Sequence, residues 1–312
     1  MQIKMRAEDS AAISAIPRRH QRGKPRVSLL FMAPAFLIIA IFLLGPALWA
    51  LYVSFTNMAL TGVGTVQWVG LQNFIHILHD SGFFNALSVS LLYLAFSALL
   101  GQALLGLLLA LLMRQRNRIY KSVLGAIIIF AWVIPDVVAG FIWSAYLAGG
   151  PHSILAPGLL NMLMASLHLP KHAWLQEYPL VMIVIAHIWR GTAFSMLLYA
   201  SALEGIPAEL LEAASIDGAG MATRLYYVTL PLIKGAIATD LLLITLSTLS
   251  DFSLVFVLTG GNDPHTQLLA IYQYQQAFQF FQIGYGSAIA LLIIVVGAML
   301  ALLYIRILRI EL

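Results

Sequence analysis

The chain has 312 residues, of which 61% are hydrophobic and only 10% are charged. Soluble domains carry about 25% charged residues, so this composition excludes an ordinary water-soluble enzyme and a disordered chain. Cysteine is absent, which excludes disulfides, thiolate metal sites and a cysteine nucleophile. The formal net charge is +4, and in so apolar a chain the positions of the basic residues are more informative than their sum.

Long runs without charged residues predict six membrane spans. A helix that crosses a bilayer needs about 20 mostly apolar residues, and clusters of Pro, Gly and Asn separate the runs here. We therefore predict an all-α polytopic membrane protein, with a basic cytoplasmic tail over residues 1–26 and a transmembrane domain over residues 27–312. The predicted spans cover residues 27–55, 83–113, 122–147, 179–203, 235–259 and 284–308.

The basic residues predict the orientation of these spans. Seven lie in the N-terminal tail, four between the second and third spans, two between the fourth and fifth, and two at the C-terminal end. The connections on the opposite side hold only Lys171. Because cytoplasmic loops are enriched in Lys and Arg, both termini are predicted to be cytoplasmic. We interpret the tail as a topology anchor beside anionic lipid and expect no nucleic-acid partner.

The connection between the fourth and fifth spans, residues 204–234, is polar and is predicted to form a helix–turn–helix outside the membrane. Pro207 suits a first helical position, and Glu209 suits the first turn, where the helix dipole favours an acid. Gly218 can end this helix in a left-handed conformation. This composition alone fits both an interfacial helix on lipid headgroups and a docking element for a cytosolic partner.

The spacing of this loop resembles the EAA loop of permease subunits of binding-protein-dependent ABC importers. That pattern has Glu-Ala-Ala, three residues, Gly, nine residues and Ile-x-Leu-Pro, and here Val228 replaces the Ile. Residues 258–261, 284–288 and 70–74 are similar to the maltose-type, sugar-importing branch. The residues that carry the coupling-loop resemblance are Glu212, Ala213, Ala214, Asp217, Gly218, Leu230 and Pro231.

The resemblance implies the type I permease fold of ABC importers and a defined set of partners. The loop would dock on a separate ATPase, and the assembly would contain a second permease subunit, two ATPase subunits and an extracytoplasmic binding protein in a prokaryotic plasma (inner) membrane. ATP and Mg would bind to the ATPases, because this chain lacks the G-x-x-x-x-G-K-[ST] pattern. We expect no cofactor, metal or catalytic residue on this chain.

Four ionisable residues fall within or near the predicted spans: Asp136, Arg190, Asp240 and Asp251. A charge at the membrane centre costs about 2.5–3.5 kcal/mol on insertion scales, so each is expected to face a cavity or a partner. Asp240 is expected near the cytoplasmic headgroups or the ATPase interface. Arg190 fits a substrate site, and it equally fits a structural ion pair with Asp136 or Asp251.

Polar and aromatic residues on the fourth and fifth spans predict a substrate path. Hydroxyl partners beside aromatic faces are the groups that bind a sugar. The W-x-G pattern at Trp189 also resembles maltose-type permeases, in which this region lines the sugar pocket. The predicted path comprises His187, Trp189, Arg190, Gly191, Phe194, Thr245, Thr248 and Asp251.

The sequence thus predicts a permease that conducts a sugar or oligosaccharide by alternating access, driven by ATP on partner subunits. One alternative is an importer of a polyol phosphate such as glycerol phosphate, which Arg190 would suit. A second is an ion-coupled secondary transporter that uses Asp136 or Asp251 as a carboxylate relay. This last alternative gives no reason for the spacing of the loop.

Overall fold

The computed structural model describes residues 25–62, 65–114, 117–151 and 156–309, and these form α-helices joined by short connections. Nearly all of the predicted basic tail, residues 1–24, lies outside the described residues. The chain divides into two compact units, Met1–Ala50 and Leu51–Leu312. The domain boundary predicted after residue 26 precedes this division and remains a prediction.

The helices are labelled in chain order. Those of the N-terminal part are α1 (Pro25–Ile39), a π-helical turn (Ala40–Leu44) and α2 (Gly45–Val53). They are followed by α3 (Gln72–Leu78), α4 (Ser81–Tyr93), the π-helical segment Leu94–Ala103, α5 (Leu104–Arg114), α6 (Arg118–Val133), α7 (Asp136–Leu147), α8 (Leu159–Ser166) and α9 (Trp174–Glu177).

The C-terminal half begins with α10, a helix of 26 residues. Its helices are α10 (Pro179–Glu204), α11 (Ala208–Ile216), α12 (Met221–Arg224), a π-helical turn (Leu225–Thr229), α13 (Leu230–Leu232), α14 (Lys234–Leu249), α15 (Ser253–Thr259), α16 (Leu269–Tyr274), a π-helical turn (Gln275–Gln279) and α17 (Ile283–Leu308).

Four stretches of helix are long and apolar enough to cross a bilayer: Met32–Val53, Ser81–Arg114, Pro179–Glu204 and Ile283–Leu308. Two further pairs of helices satisfy the same criteria but are sharply bent, Ile119–Val133 with Asp136–Leu147 and Met221–Leu232 with Lys234–Leu249. If each pair is one span, the described residues contain up to six, the number that the sequence predicts, although the second pair begins at Met221, inside the predicted loop over residues 204–234.

The third predicted span is not a straight helix. Its two halves, α6 and α7, meet at an angle of 101°. Pro135 lacks a backbone N–H and disfavours helical geometry at the residue before it, and Ile134 accordingly has the extended values φ −63°, ψ 128°. The bend places Asp136 in the first turn of α7.

The fifth predicted span, residues 235–259, is also broken. Helix α14 ends at Leu249 and α15 begins at Ser253. The residues between them include Ser250 and Asp251, whose N–H groups bond to carbonyls three residues earlier. Ser and Asp have low helix propensity, and the Asp251 side chain bonds to Tyr93 and His187, which favours a break here without Pro or Gly. Irregular backbone at membrane depth is tolerated where it lines a cavity.

Helix α10 is the centre of the second unit and packs against α5, α6 and the π-helical segment Leu94–Ala103. One buried cluster on it includes Ile183 and Ala186, together with Tyr93 and Leu254. In lipid such contacts stabilise through van der Waals packing, because the surrounding acyl chains are as apolar as the side chains.

Asp240 is buried between α14 and α10, so its carboxyl group faces neither headgroups nor an ATPase surface as predicted, while its predicted depth near the cytoplasmic end stays a prediction. The residue is fully buried. Its carboxyl group accepts hydrogen bonds from Ser195 Oγ at 2.9 Å and from Tyr199 Oη at 2.6 Å. Because both donors lie on α10, the carboxyl group joins α14 to α10 inside the protein.

A second carboxylate, Asp80, holds the start of α4. It accepts a hydrogen bond from Gly82 N at 2.8 Å, as a helix N-cap does. It also accepts from Tyr285 Oη at 2.6 Å and from Tyr272 Oη. Burial raises the pKa of Asp80, but the tyrosine and backbone hydrogen bonds outweigh it, so the pKa lies below its ordinary value.

Asp80 is therefore expected to make stability depend on pH. A carboxylate with a depressed folded-state pKa stabilises the protein above its unfolded pKa, and this contribution is lost as the pH falls through the folded pKa. Asp80→Asn should destabilise the protein by about 1 kcal/mol at pH 7. The difference from wild type should shrink below about pH 4.

Thermal unfolding of the purified wild type and Asp80→Asn at pH 7 and at pH 3 tests this expectation. Tyr285→Phe, which removes one donor and keeps the ring, should show a smaller loss with the same pH trend. A deficit of Asp80→Asn that is equally large at pH 7 and pH 3 would contradict the electrostatic explanation.

Candidate functional site: a polar cavity and a coupling loop

A cavity of about 490 Å³ lies beside α10 at the two helix breaks. Asp136 comes from the bend between α6 and α7, and Asp251 comes from the break between α14 and α15. We call it the central cavity. Its lining residues are Gln102, Trp132, Asp136, His187, Arg190, Gly191, Phe194, Leu243, Ser247, Ser250, Asp251, Phe252 and Ser253.

One side of the central cavity is a hydrogen-bonded network around Asp251. Its Oδ2 accepts from Tyr93 Oη at 2.6 Å and lies 3.1 Å from His187 Nδ1. The other ring nitrogen of His187, Nε2, lies 3.2 Å from Thr248 Oγ1. The side chains of His187 and Asp251 are each 9% exposed. The network therefore fixes the orientation of the imidazole and leaves Asp251 with partners of its own.

Arg190 pairs with Asp136 rather than with Asp251. The distance from Arg190 Nε to Asp136 Oδ1 is 2.7 Å. The Nε–H group is buried and makes no hydrogen bond of acceptable geometry, so the contact is an ion pair with a misdirected N–H. The two side chains are 24% and 39% exposed, and both line the central cavity. Arg190 therefore fits both sequence-based interpretations, because it lines the central cavity and is also paired with Asp136.

The structure brings five of the eight predicted path residues to the wall of the central cavity: His187, Arg190, Gly191, Phe194 and Asp251. Thr248 stands behind the wall, against His187.

The remaining two predicted path residues lie elsewhere. Thr245 is buried and pairs with Tyr304 Oη at 3.0 Å, which ties α14 to α17. Trp189 packs edge-to-face on Trp143 at a ring distance of 6.0 Å and is 38% exposed. Neither side chain lines the central cavity.

Sequence reasoning missed several lining residues. Gln102 is the only amide in the predicted second span apart from Asn85, and an isolated amide in an apolar run is a usable signal that it faces a polar partner. Ser247, Ser250 and Ser253 are ordinary helix-packing residues by sequence, and only the break around Asp251 places them beside the cavity.

The wall chemistry suits a neutral, hydroxyl-rich ligand. Serine hydroxyls donate and accept hydrogen bonds, while the amide of Gln102 and the Arg190–Asp136 pair add further donors and acceptors. Phe194 and Phe252 contribute apolar ring faces. Small-molecule sites combine such apolar surfaces with a few positioned polar groups.

The loop over residues 204–234 forms the predicted helix–turn–helix. Helix α11 has no buried residue, and Glu212 and Gly218 are exposed. Gly218 has φ +80°, and its N–H bonds to Ser215 O at 3.1 Å. Ala219 N bonds to Ala214 O at 2.9 Å, which completes a glycine-terminated C-cap. The predicted left-handed conformation of Gly218 is confirmed.

The loop over residues 204–234 attaches to the other helices by a few apolar contacts. Leu211 and Leu230 pack against the buried cluster that includes Tyr199 and Leu203. By contrast, Ile216 is 86% exposed and Tyr227 is 73% exposed. Apolar groups that protrude from a polar loop are typical of a surface that another protein covers.

A polytopic helical membrane fold with a polar cavity at broken helices and a protruding hydrophilic loop defines a membrane subunit of a transport system. Residues 102–309 match the family described as binding-protein-dependent transport system inner membrane component. The chain belongs to this family.

Individual relatives match over nearly the whole chain. The trehalose transport system permease protein of Mycobacterium tuberculosis is 34% identical over 96% of this chain and 94% of its own length. The trehalose/maltose transport system permease protein of Thermococcus litoralis is 29% identical over 90% of this chain and 93% of its own length.

A solved structure has the same fold. It is a chain of a bacterial alginate ABC transporter in complex with an alginate pentasaccharide-bound periplasmic protein. The TM-score is 0.76 at 20% sequence identity, and the match covers 91% of this chain and 95% of that chain.

Proposed function

We propose that this chain is a permease subunit of an ATP-driven importer and conducts a sugar or oligosaccharide through the central cavity. The observation that carries the proposal is the pairing of Arg190 with Asp136 in the cavity wall, whose other carboxylate, Asp251, already has Tyr93 and His187 as partners. This wall matches a neutral polyhydroxyl ligand, and relatives named for trehalose and maltose transport point to the same substrate class.

The pairing and the exposed loop argue against the two alternatives. A phosphate group would need an uncompensated cation, whereas Asp136 offsets the charge of Arg190. A proton relay through Asp136 or Asp251 would leave the exposed loop over residues 204–234 without a role. A neutral sugar is therefore favoured over a polyol phosphate or a coupling ion.

The loop over residues 204–234, the coupling loop, is proposed to dock on an ATPase subunit. In the proposed assembly a second permease completes the path, two ATPases bind ATP and Mg, and an extracytoplasmic binding protein delivers the substrate. ATP-driven closure of the ATPases would then rock the two permeases between inward- and outward-facing states. The exposed apolar residues beside Gly218 support this docking surface.

The test is purification of the tagged chain from its own membranes, identification of the co-purifying subunits, and reconstitution into liposomes. ATP-dependent uptake of trehalose or maltose that requires an ATPase and a binding protein is the expected result. Uptake by this chain alone, driven by an ion gradient, would overturn the proposal.

Docking on a cytosolic ATPase requires the coupling loop to be cytoplasmic, as both termini would then be. Because the chain has no cysteine, single Cys substitutions report topology cleanly. Thr65→Cys and Asn262→Cys, both at exposed positions, should react with an impermeant maleimide in intact cells. Ser215→Cys, also exposed, should react only after permeabilisation. Labelling of Ser215→Cys from outside would reverse the orientation.

A further inference from the structure

Two buried side-chain polar atoms in the described part of the chain make no hydrogen bond, Gln102 Oε1 and Arg190 Nε, although Arg190 Nε is in ion-pair contact with Asp136 Oδ1 at 2.7 Å. One is an acceptor and the other is a donor. Both belong to residues that line the central cavity. Buried polar groups are nearly always paired, so an orphan of each kind at one site needs an explanation.

The orientation of the Gln102 amide follows from its one hydrogen bond. Its Nε2 donates to the backbone carbonyl of Gly191 at 2.9 Å. A carbonyl oxygen accepts and cannot donate, so the nitrogen must face Gly191 and the oxygen must point away from that carbonyl. The hydrogen bond to Gly191 therefore fixes the orientation of the amide, and the unpaired atom is the oxygen, an acceptor.

The backbone around Gln102 is shaped to hold this amide. Gln102 is 4% exposed and lies in the π-helical segment Leu94–Ala103, a geometry that is frequent at functional sites. A Cβ at position 191 would lie 2.5 Å from the amide carbon of Gln102, so only glycine leaves room for it. Since Gly191 and Arg190 lie on α10, the amide is anchored to the helix that carries the orphan donor.

We infer that Gln102 Oε1 and Arg190 Nε–H together form a subsite for one hydroxyl group of the transported sugar. A hydroxyl donates one hydrogen bond and accepts others, so a single group can satisfy both orphan atoms. A fully ionised phosphate oxygen has no proton to donate to Gln102, so the subsite selects a neutral hydroxyl. The inference rests on the proposed function and adds Gln102 as a substrate-binding residue.

The Oε1 atom is closed off from solvent in this conformation. The substrate hydroxyl would therefore reach it when the cavity opens during the transport cycle. A direct hydrogen bond between Arg190 and Gln102 in another conformation is the competing explanation, and it gives no dependence on any particular hydroxyl.

The test uses the reconstituted complex with whichever of trehalose and maltose it takes up better, and the mono-deoxy analogues of that sugar. Wild type should discriminate against one deoxy analogue by about tenfold or more. Gln102→Met, which keeps the length but loses the acceptor, should lower uptake of the parent sugar by about tenfold and lose discrimination at that one position.

Ser97→Ala is the matched control, because Ser97 is buried in the same π-helical segment, bonds to Tyr93 O and does not line the cavity. It should keep both uptake and discrimination. If Gln102→Met takes up the sugar as wild type does, or loses uptake equally for every analogue, the subsite is refuted while the proposed function stands. A wild-type complex that takes up no sugar overturns both.

Discussion

Gly218→Trp is expected to lower transport and substrate-stimulated ATP hydrolysis at least tenfold while the protein still inserts and assembles. In the chain itself a Cβ at this exposed position would meet nothing within 4 Å, so the membrane part should tolerate the bulk. The loss would arise at the partner surface, where the ring would prevent close approach of the loop. A tenfold loss corresponds to about 1.4 kcal/mol of docking free energy.

Backbone strain must be separated from bulk in this experiment, because the φ of +80° at Gly218 is unfavourable for most residues. Gly218→Asn is the control, since Asn tolerates the left-handed region and lacks the large ring. It should stay within about twofold of wild type, and Glu212→Ala, which removes one exposed polar group, should fall between the two. Normal ATPase stimulation in an assembled Gly218→Trp complex would refute docking at this loop.

The second large effect is expected at Arg190. Arg190→Ala should abolish most uptake, because it removes a cavity donor, and should also destabilise the protein, because it leaves Asp136 unpaired. Breaking a fully buried pair costs about 3–5 kcal/mol. Here the side chains are 24% and 39% exposed, so a loss of about 1–2 kcal/mol is expected.

A double variant that removes both charges separates the two roles of Arg190, the contact with substrate and the stabilising pair with Asp136. In the double variant Arg190→Ala with Asp136→Asn, the melting temperature should recover much of its loss, while uptake should stay low. Asp251→Asn should not rescue Arg190→Ala, because Asp251 already has Tyr93 and His187 as partners. Full recovery of uptake in the double variant would reduce Arg190 to a structural residue.

Features with a local cause were predictable from the sequence. Pro179–Glu204 matches the predicted fourth span to within a residue, because an apolar run with proline at its first position leaves little choice. Gly218 adopts the predicted left-handed conformation because it depends only on the local hydrogen bonds that end α11. The bend at Pro135 also had a local signal, but an apolar composition on both sides favoured one continuous span.

Features that depend on distant contacts were not predictable. Asp240 lies near the start of α14 by position, where the sequence predicts headgroups, yet it is buried against Ser195 and Tyr199 of another helix. Thr245 shares a helical face with Thr248, but Tyr304 of the last helix turns its hydroxyl away from the cavity. Which of two carboxylates pairs with Arg190 is likewise a question of tertiary geometry.

The bend before α7 also bears on how the chain enters the membrane. Helix α7 has 12 residues, about 18 Å of rise, and cannot cross a hydrocarbon core of about 30 Å alone. It begins with Asp136, whose partner Arg190 belongs to the next long span and leaves the ribosome later, at about 5–20 residues per second. Helix α7 should therefore stay beside the insertion machinery until α10 has been synthesised. The two helices should then enter the lipid together.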